Sequence, residues 1–267
     1  MSPNIRKMEL DDWNEFHVHD IEIFPDDSIQ EAGFESLLER NECFVLEDKD
    51  EMVGHLCISR FGENESHLAR IGVSKKHQRK GYGKLLMQHA LDWFNNQGDI
   101  VKVHLYTQHD NHAAQSLYKQ FGFSTVGTTW HYFVPFETLK PTGVFTCQKL
   151  QKDEIEHAGQ LYPSLPAVQI ERFLSRDEYL VLTVKDRDGV IQGVARFTPS
   201  FPGSFPFEIS TIDGFDDFLL GMKEFSLPEY DYVRVTFTDN HELAELCASR
   251  EYRLHHKLFK MSHVLKK

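Results

Sequence analysis

The chain has 267 residues, enough for one large domain or for two of about 130, each able to bury its own core. A formal net charge of −12 argues against a general nucleic-acid binder, because phosphate affinity rests on clustered Lys and Arg, and no apolar run approaches the roughly 18 residues that span a membrane. The start lacks the apolar centre of a signal peptide, and the four cysteines, Cys43, Cys57, Cys147 and Cys247, show no paired spacing, so neither disulfides nor a Cys-based zinc site are expected and a reducing cytoplasm is.

Taken in chain order, residues 4–9 predict an opening strand and residues 13–19 and 28–39 two helices. Residues 43–47 and 52–60 predict a hairpin across the charged turn Asp48-Lys49-Asp50-Glu51, and residues 67–73 a further strand after the polar loop Gly62-Glu63-Asn64-Glu65. Between 81 and 97, Leu85, Leu86, Ala90, Leu91 and Phe94 recur at helical spacing. Residues 101–106 predict a strand, 111–121 a helix and 125–133 a closing strand pair. That order predicts an α/β (α+β) architecture with a mixed central sheet flanked by helices.

The pattern then repeats. Thr107-Gln108-His109-Asp110-Asn111-His112 returns as Thr236-Phe237-Thr238-Asp239-Asn240-His241, and Cys43-Phe44-Val45-Leu46 is echoed by Tyr179-Leu180-Val181-Leu182. Two copies of one fold are therefore expected, over residues 1–138 and 139–267, joined where Pro135, Pro141 and Gly143 punctuate the apolar pattern.

The chemistry lies in the first copy. The strand ending at Val73 runs into Gln78-Arg79-Lys80-Gly81-Tyr82-Gly83-Lys84, which opens the next helix. Glycines there let the backbone approach an anion, and the helix N-terminus supplies free N–H groups and a favourable dipole. Lys75, Lys76, Arg79, Lys80 and Lys84 reverse the sign of an otherwise acidic chain. Two other phosphate motifs fail on spacing: a P-loop needs Gly where Gln78 stands and Ser or Thr where Leu85 stands, and a dinucleotide fingerprint needs Gly or Ala where Leu86 stands. A tight turn that is merely basic is the plainer alternative.

Gln78 to Gly83 also matches Q/R-x-x-G-x-G/A at a strand-to-helix turn. With Asn111 heading the next helix, Tyr118 seven positions on and the corner Phe121-Gly122-Phe123, residues 4–134 resemble the GNAT family of N-acetyltransferases. The resemblance implies two tandem GNAT-like acyl-CoA N-acyltransferase domains and transfer of acetyl from acetyl-CoA to a primary amine, on a small molecule or a peptide, by direct attack. It also implies that the backbone of Ile71, Gly72 and Val73 binds the pantetheine arm like an added strand. The pyrophosphate would sit on the turn from Gln78 through Arg79, Lys80, Gly81, Tyr82 and Gly83 to Lys84. Tyr118 would protonate the departing thiolate, although its place beside Ala114, Leu117 and Phe121 also suits packing. Asn111 is either a helix cap or a cofactor contact.

For the general base the resemblance offers a strand carboxylate acting through water. Glu65 and His67 are the named candidates, with Glu63 and His104 behind them. His109, Asp110 and His112 fall where a loop and a cap belong, so no metal is expected. The lip Phe24-Pro25-Asp26-Asp27, with Glu31, either borders a cationic acceptor or starts a helix.

The second copy departs from the family where it matters. Asp213-Gly214-Phe215-Asp216-Asp217-Phe218 has no Gly-x-Gly and no basic cluster, Cys247 stands in the place of Tyr118, and Arg250-Glu251 replaces Phe121-Gly122. That copy is expected to be degenerate, bracing the first, shaping the acceptor pocket or forming a homodimer. The alternative function for the whole chain is a non-catalytic acyl-CoA-binding regulatory or interaction module.

Overall fold

The computed structural model describes residues 3–61 and 64–265, so Gly62 and Glu63 lie outside the described residues. The first copy folds as β1 (Asn4–Lys7), α1 (Trp13–Ile23), α2 (Glu31–Arg40), β2 (Glu42–Asp48), β3 (Glu51–Phe61), β4 (Glu65–Val73), α3 (Tyr82–Gln97), β5 (Lys102–Gln108), α4 (His112–Gln120) and β6 (Ser124–Pro135). Strands β1 to β4 are antiparallel neighbours in sequence order, and β4 runs parallel to β5. Period-2 alternation splits β2 and β3 between two cores. Cys43 and Val45 of β2 join Phe16 and Phe34 of the α1–α2 layer, whereas Leu46 joins Leu86, Met87, Ala90 and Phe94 of α3. Phe94 is fully buried, so truncation to alanine costs about 3–5 kcal/mol.

One irregularity positions the site. Cys57 of β3 pairs with Arg70 and Ile58 with Leu68, which leaves Ala69 as an extra residue, a bulge in β4. Leu68 before the bulge packs on the α3 side, and beyond it Ile71 and Val73 do. Arg70 and Gly72 therefore turn the other way, toward Asp20 and Ile23 of α1.

The second copy repeats the order with β7 (Thr146–Lys149), α5 (Ile155–Leu161), α6 (Ala167–Leu174), β8 (Leu180–Lys185), β9 (Ile191–Thr198), β10 (Gly203–Ile209), α7 (Phe215–Lys223), β11 (Tyr232–Thr238), α8 (His241–Ser249) and β12 (Arg253–Val264). Within it β10 and β11 are parallel, and the pairs β7–β8, β8–β9 and β9–β10 are antiparallel.

The compact units are Met1–Val126 with Phe259–Lys267, and Gly127–Leu258. This differs from the boundary expected after residue 138. The closing element expected as a strand pair is one strand, β6, and from Tyr232↔Pro135 to Thr238↔Thr129 it pairs with β11 inside the second unit. The end of the chain returns to the first unit, where Leu265 donates to the carbonyl of Val101 at 2.9 Å and Met261 and Leu265 are buried. Residues 135–143 are not loose either. Phe136 and Leu139 are buried, and the Asp217 carboxylate accepts from the N–H of Thr142 at 2.9 Å and of Gly143 at 2.7 Å.

The cysteine expectation is also corrected: Cys43 and Cys57 face each other across β2 and β3, Cα atoms 4.1 Å apart, and form a disulfide. Spacing in sequence hides a partner that only strand register supplies. Unpaired cysteines therefore no longer argue for a reducing compartment. No described helix is long and apolar enough to cross a membrane.

Candidate active site

Strands β4 and β5 are paired only from Glu65↔Lys102 to His67↔His104, yet both continue, to Val73 and Gln108. Past the bulge they part, and β4 is left with an open edge. Ser74 N–H donates to Val53 O at 3.0 Å, so the antiparallel alternation turns the backbone of Gly72 toward β3 and that of Ile71 and Val73 toward the fork. The expectation for Gly72 is thereby corrected. Its missing Cβ makes room for α1 instead, since a Cβ there would lie 2.7 Å from Ile23 Cγ2. Ile71 and Val73 keep the orientation that an added strand needs.

At the end of β4 the chain turns through Gln78, whose Nε2 donates to Val73 O at 3.1 Å, into α3. Arg79 at φ 65° and Gly81 at φ 91° both adopt left-handed backbone. That conformation at Arg79, disfavoured for a residue with a Cβ, fits a turn shaped for binding rather than stability. The amide N–H groups of Arg79, Lys80, Gly81, Tyr82 and Gly83 make no hydrogen bond among the described residues, and they sit where the α3 dipole is positive. Lys75, Arg79, Lys80 and Lys84 are exposed and have no ion-pair partner among the described residues, whereas Lys76 pairs with Glu51. Tyr82 contributes its amide only, because its hydroxyl donates to Asp48 at 2.6 Å. Gly83 admits α4, since a Cβ there would be 3.2 Å from Leu117 Cδ2.

On α4, Asn111 is a cap: its Oδ1 accepts from Ala114 N–H at 3.0 Å. Tyr118 lies seven residues on, 7% exposed beside Phe123, with no hydrogen bond to its hydroxyl among the described residues. Burial pushes its pKa up to about 12, so the phenol holds its proton at neutral pH.

The last paired rungs of the fork carry the remaining candidates. Glu65 is 2.7 Å from His104 Nε2 and 3.7 Å from Lys102 Nζ. His104 Nδ1 is buried without a partner. Burial lowers the pKa of His104, against the pull of Glu65, and His67 is pushed down to about 4 by burial, then by His104 and Lys260. Both imidazoles are therefore neutral at pH 7. The structure thus brings Glu65, His67 and His104 together at the fork, and it leaves Glu63 outside the described residues. Among the described residues no His, Cys, Asp and Glu cluster could hold a metal.

Sequence reasoning missed one group altogether. Arg70 is buried and reaches Asp20 through Nε and NH2, both at 2.9 Å, while its guanidinium lies 4.2 Å from the Phe24 ring centre and donates to Asp27 O at 2.8 Å. The Asp20 carboxylate also accepts from Ile29 N–H at 2.7 Å and faces buried His55 at 3.6 Å. Burial would raise the pKa of Asp20, but these partners hold it below the usual carboxylate range. The lip Phe24 to Asp27 is thus fastened to β4 by Arg70, and α2 begins only at Glu31, so the lip does not start a helix as the sequence suggested. A charged residue in a strand of apolar alternation, Arg70, was the signal available.

The first unit thus sets a strand-to-helix turn of unpaired amides beside a forked pair of parallel strands. The model of the acetyltransferase (GNAT) family matches residues 4–123. N-alpha-acetyltransferase RimI of Mycobacterium tuberculosis is 35% identical over 85 residues, which cover 31% of this chain and 51% of that protein. The chain spans about half the length of the curated relatives first matched, 54% and 51%. Two solved structures share the fold over the whole chain. A GCN5-related N-acetyltransferase from Sphaerobacter thermophilus superposes with a TM-score of 0.73 at 13% identity, covering 99% of this chain and 96% of its own. A tandem GNAT protein from the clavulanic acid biosynthesis pathway gives 0.67 at 11% identity, covering 100% and 99%.

Proposed function

We propose that the first unit transfers an acetyl group from acetyl-CoA to a primary amine by direct attack. The observation that carries this reading is the row of unpaired amides from Arg79 to Gly83 at the head of α3, opening beside the β4–β5 fork. In this reading the amides and the free lysines hold the pyrophosphate, and Ile71 and Val73 hold the pantetheine arm. An amide at the fork polarises the thioester carbonyl and takes up the charge of the tetrahedral oxyanion. The amine nitrogen forms the new bond to the acyl carbon as the carbon–sulfur bond breaks, and Tyr118 gives its proton to the thiolate. His104, oriented by Glu65, takes the amine's proton on Nδ1, directly or through water. Degeneracy of the second unit belongs to the same proposal: Asp216 and Asp217, where a pyrophosphate would sit, already accept from the N–H groups of Lys140, Thr142 and Gly143, and Cys247 stands in the place of Tyr118.

Calorimetry with acetyl-CoA is expected to give one site per chain, and a panel of amines with acetyl-CoA is expected to release thiol with at least one acceptor. Gly81→Asp should abolish binding. A Cβ at Gly81 meets nothing within 4 Å, so the substitution acts through left-handed backbone and negative charge, not through a clash. Wild-type affinity in that variant, or two sites per chain, would refute the assignment of the cradle. Binding without turnover of any amine would favour the binding-module alternative.

A further inference from the structure

Tyr118 stands in a core whose last members come from the far end of the chain. The segment Phe259–Lys267 belongs to the first unit although residues 127–258 intervene in sequence. Period-2 alternation along β12 and just past it puts Phe259, Met261, His263 and Leu265 in one row, and Phe259, Met261 and Leu265 pack into the cluster that contains Tyr118. His263, the remaining member of that row, meets the corner that ends α4. Its Nδ1 lies 3.0 Å from the carbonyl oxygen of Gly122, and since a carbonyl only accepts, Nδ1 carries the proton. Its ring lies 5.4 Å from that of Phe123, and Phe123 lies 6.3 Å from the ring of Tyr118. The corner is tied to the same tyrosine through the backbone: Tyr118 O accepts from Phe121 N–H at 3.0 Å and from Phe123 N–H at 3.1 Å.

The second unit makes the same corner without a glycine. There Tyr252 N–H donates to Cys247 O at 3.1 Å and Glu251 N–H to Ala248 O at 3.0 Å, matching Phe123 N–H to Tyr118 O and Gly122 N–H to Lys119 O, both 3.1 Å. Glu251 adopts the left-handed backbone at φ 55° with a side chain present, whereas Gly122 adopts it at φ 84°. The turn by itself therefore does not demand glycine. What excludes a side chain at position 122 is His263, since a Cβ there would lie 2.8 Å from its Nδ1 and Cε1. Glycine at this corner thus serves the approach of the imidazole.

We propose that His263 is a positioning residue for the acyl transfer: through Gly122 O and the Phe123 ring it fixes the end of α4 and so the place of the Tyr118 hydroxyl. The inference rests on the reading of Tyr118 as proton donor to the departing thiolate. The test uses the full chain, acetyl-CoA and the amine of the panel that turns over fastest. His263→Ala is expected to lower kcat about tenfold and to leave acetyl-CoA affinity within about twofold, because a displacement of less than about 1 Å costs rate rather than cofactor binding. His263→Asn, whose amide N–H stands near the place of Nδ1–H, is expected to recover most of that loss. Combined with Tyr118→Phe, His263→Ala is expected to cost nothing further, since both act through one proton. Hydrogen exchange at the amides of Phe121 and Phe123 should quicken in His263→Ala and not in His263→Asn.

Natural kcat or unchanged exchange in His263→Ala, independent losses in the double variant, or His263→Asn as slow as His263→Ala overturns the proposal and leaves Tyr118 in its role. Natural kcat in Tyr118→Phe, or no turnover with any amine, overturns the proton-donor reading and this proposal with it. Should His263→Ala fail to fold, His263→Phe, which keeps a ring and loses the donor, takes its place in each comparison.

Discussion

At Tyr118 the proton donor proposed above and a core packing residue are one side chain. Its ring is buried in the same core as Leu86 and Phe123, and burial holds its pKa near 12, so it stands protonated and packed at once. Phenylalanine keeps the packing and removes only the proton. Tyr118→Phe is therefore expected to fold normally, to bind acetyl-CoA as the natural chain does and to lose about 10²-fold or less in kcat, because a thiolate is a tolerable leaving group. Loss in kcat with affinity unchanged is the pattern of an interaction made in the transition state. Turnover at the natural rate in steady-state assays would return Tyr118 to a packing role.

Among the elements, β4 decides most. Its bulge at Ala69 comes before Ile71 and Val73 at the fork and Arg70 at the α1–α2 lip, so one inserted residue stands between the paired start of β4 and both its open edge and the fastened lip. The Arg70–Asp20 pair is buried, and removing one partner of such a pair leaves an uncompensated charge. Arg70→Met is expected to cost about 3–5 kcal/mol in denaturant unfolding. Adding Asp20→Asn should recover part of that loss, because the two changes are coupled. Equal and additive losses would mean that the pair does not act as a unit.

Across the whole molecule the buried histidines set a direction for stability with pH. His67 lies near pKa 4 and His131 near 3, and burial also lowers His19, His55, His89 and His104. Unfolded histidine titrates near about 6.5, so below that pH the unfolded chain binds more protons than the folded one. Stability should then fall as pH drops from about 6.5 toward about 4 and be nearly level above 7, with Asp20 adding its own loss below about 3.9. Thermal unfolding at several pH values checks the slope. His131→Gln, which still offers Arg234 an acceptor, should flatten it, and an unchanged slope would exclude His131 as a contributor.

Local chemistry alone made the strand-to-helix turn and the repeat legible. Gly81 and Gly83 within a basic turn, the helical period of Leu86, Ala90 and Phe94, and the return of Asp110-Asn111-His112 as Asp239-Asn240-His241 are short-range patterns, and each is realised, down to the matching caps by Asn111 and Asn240. What depended on register could not be read along the chain. The bulge at Ala69, the turning of Gly72 toward α1, the Cys43–Cys57 bond, the meeting of Glu65 with His104 and the burial of Arg70 against Asp20 join residues 10 to 50 positions apart. The boundary between the units was missed for the same reason. Residues 124–135 form one unbroken strand, and its assignment mostly to the second unit is settled by backbone hydrogen bonds to β11, about a hundred residues away, which no local composition encodes.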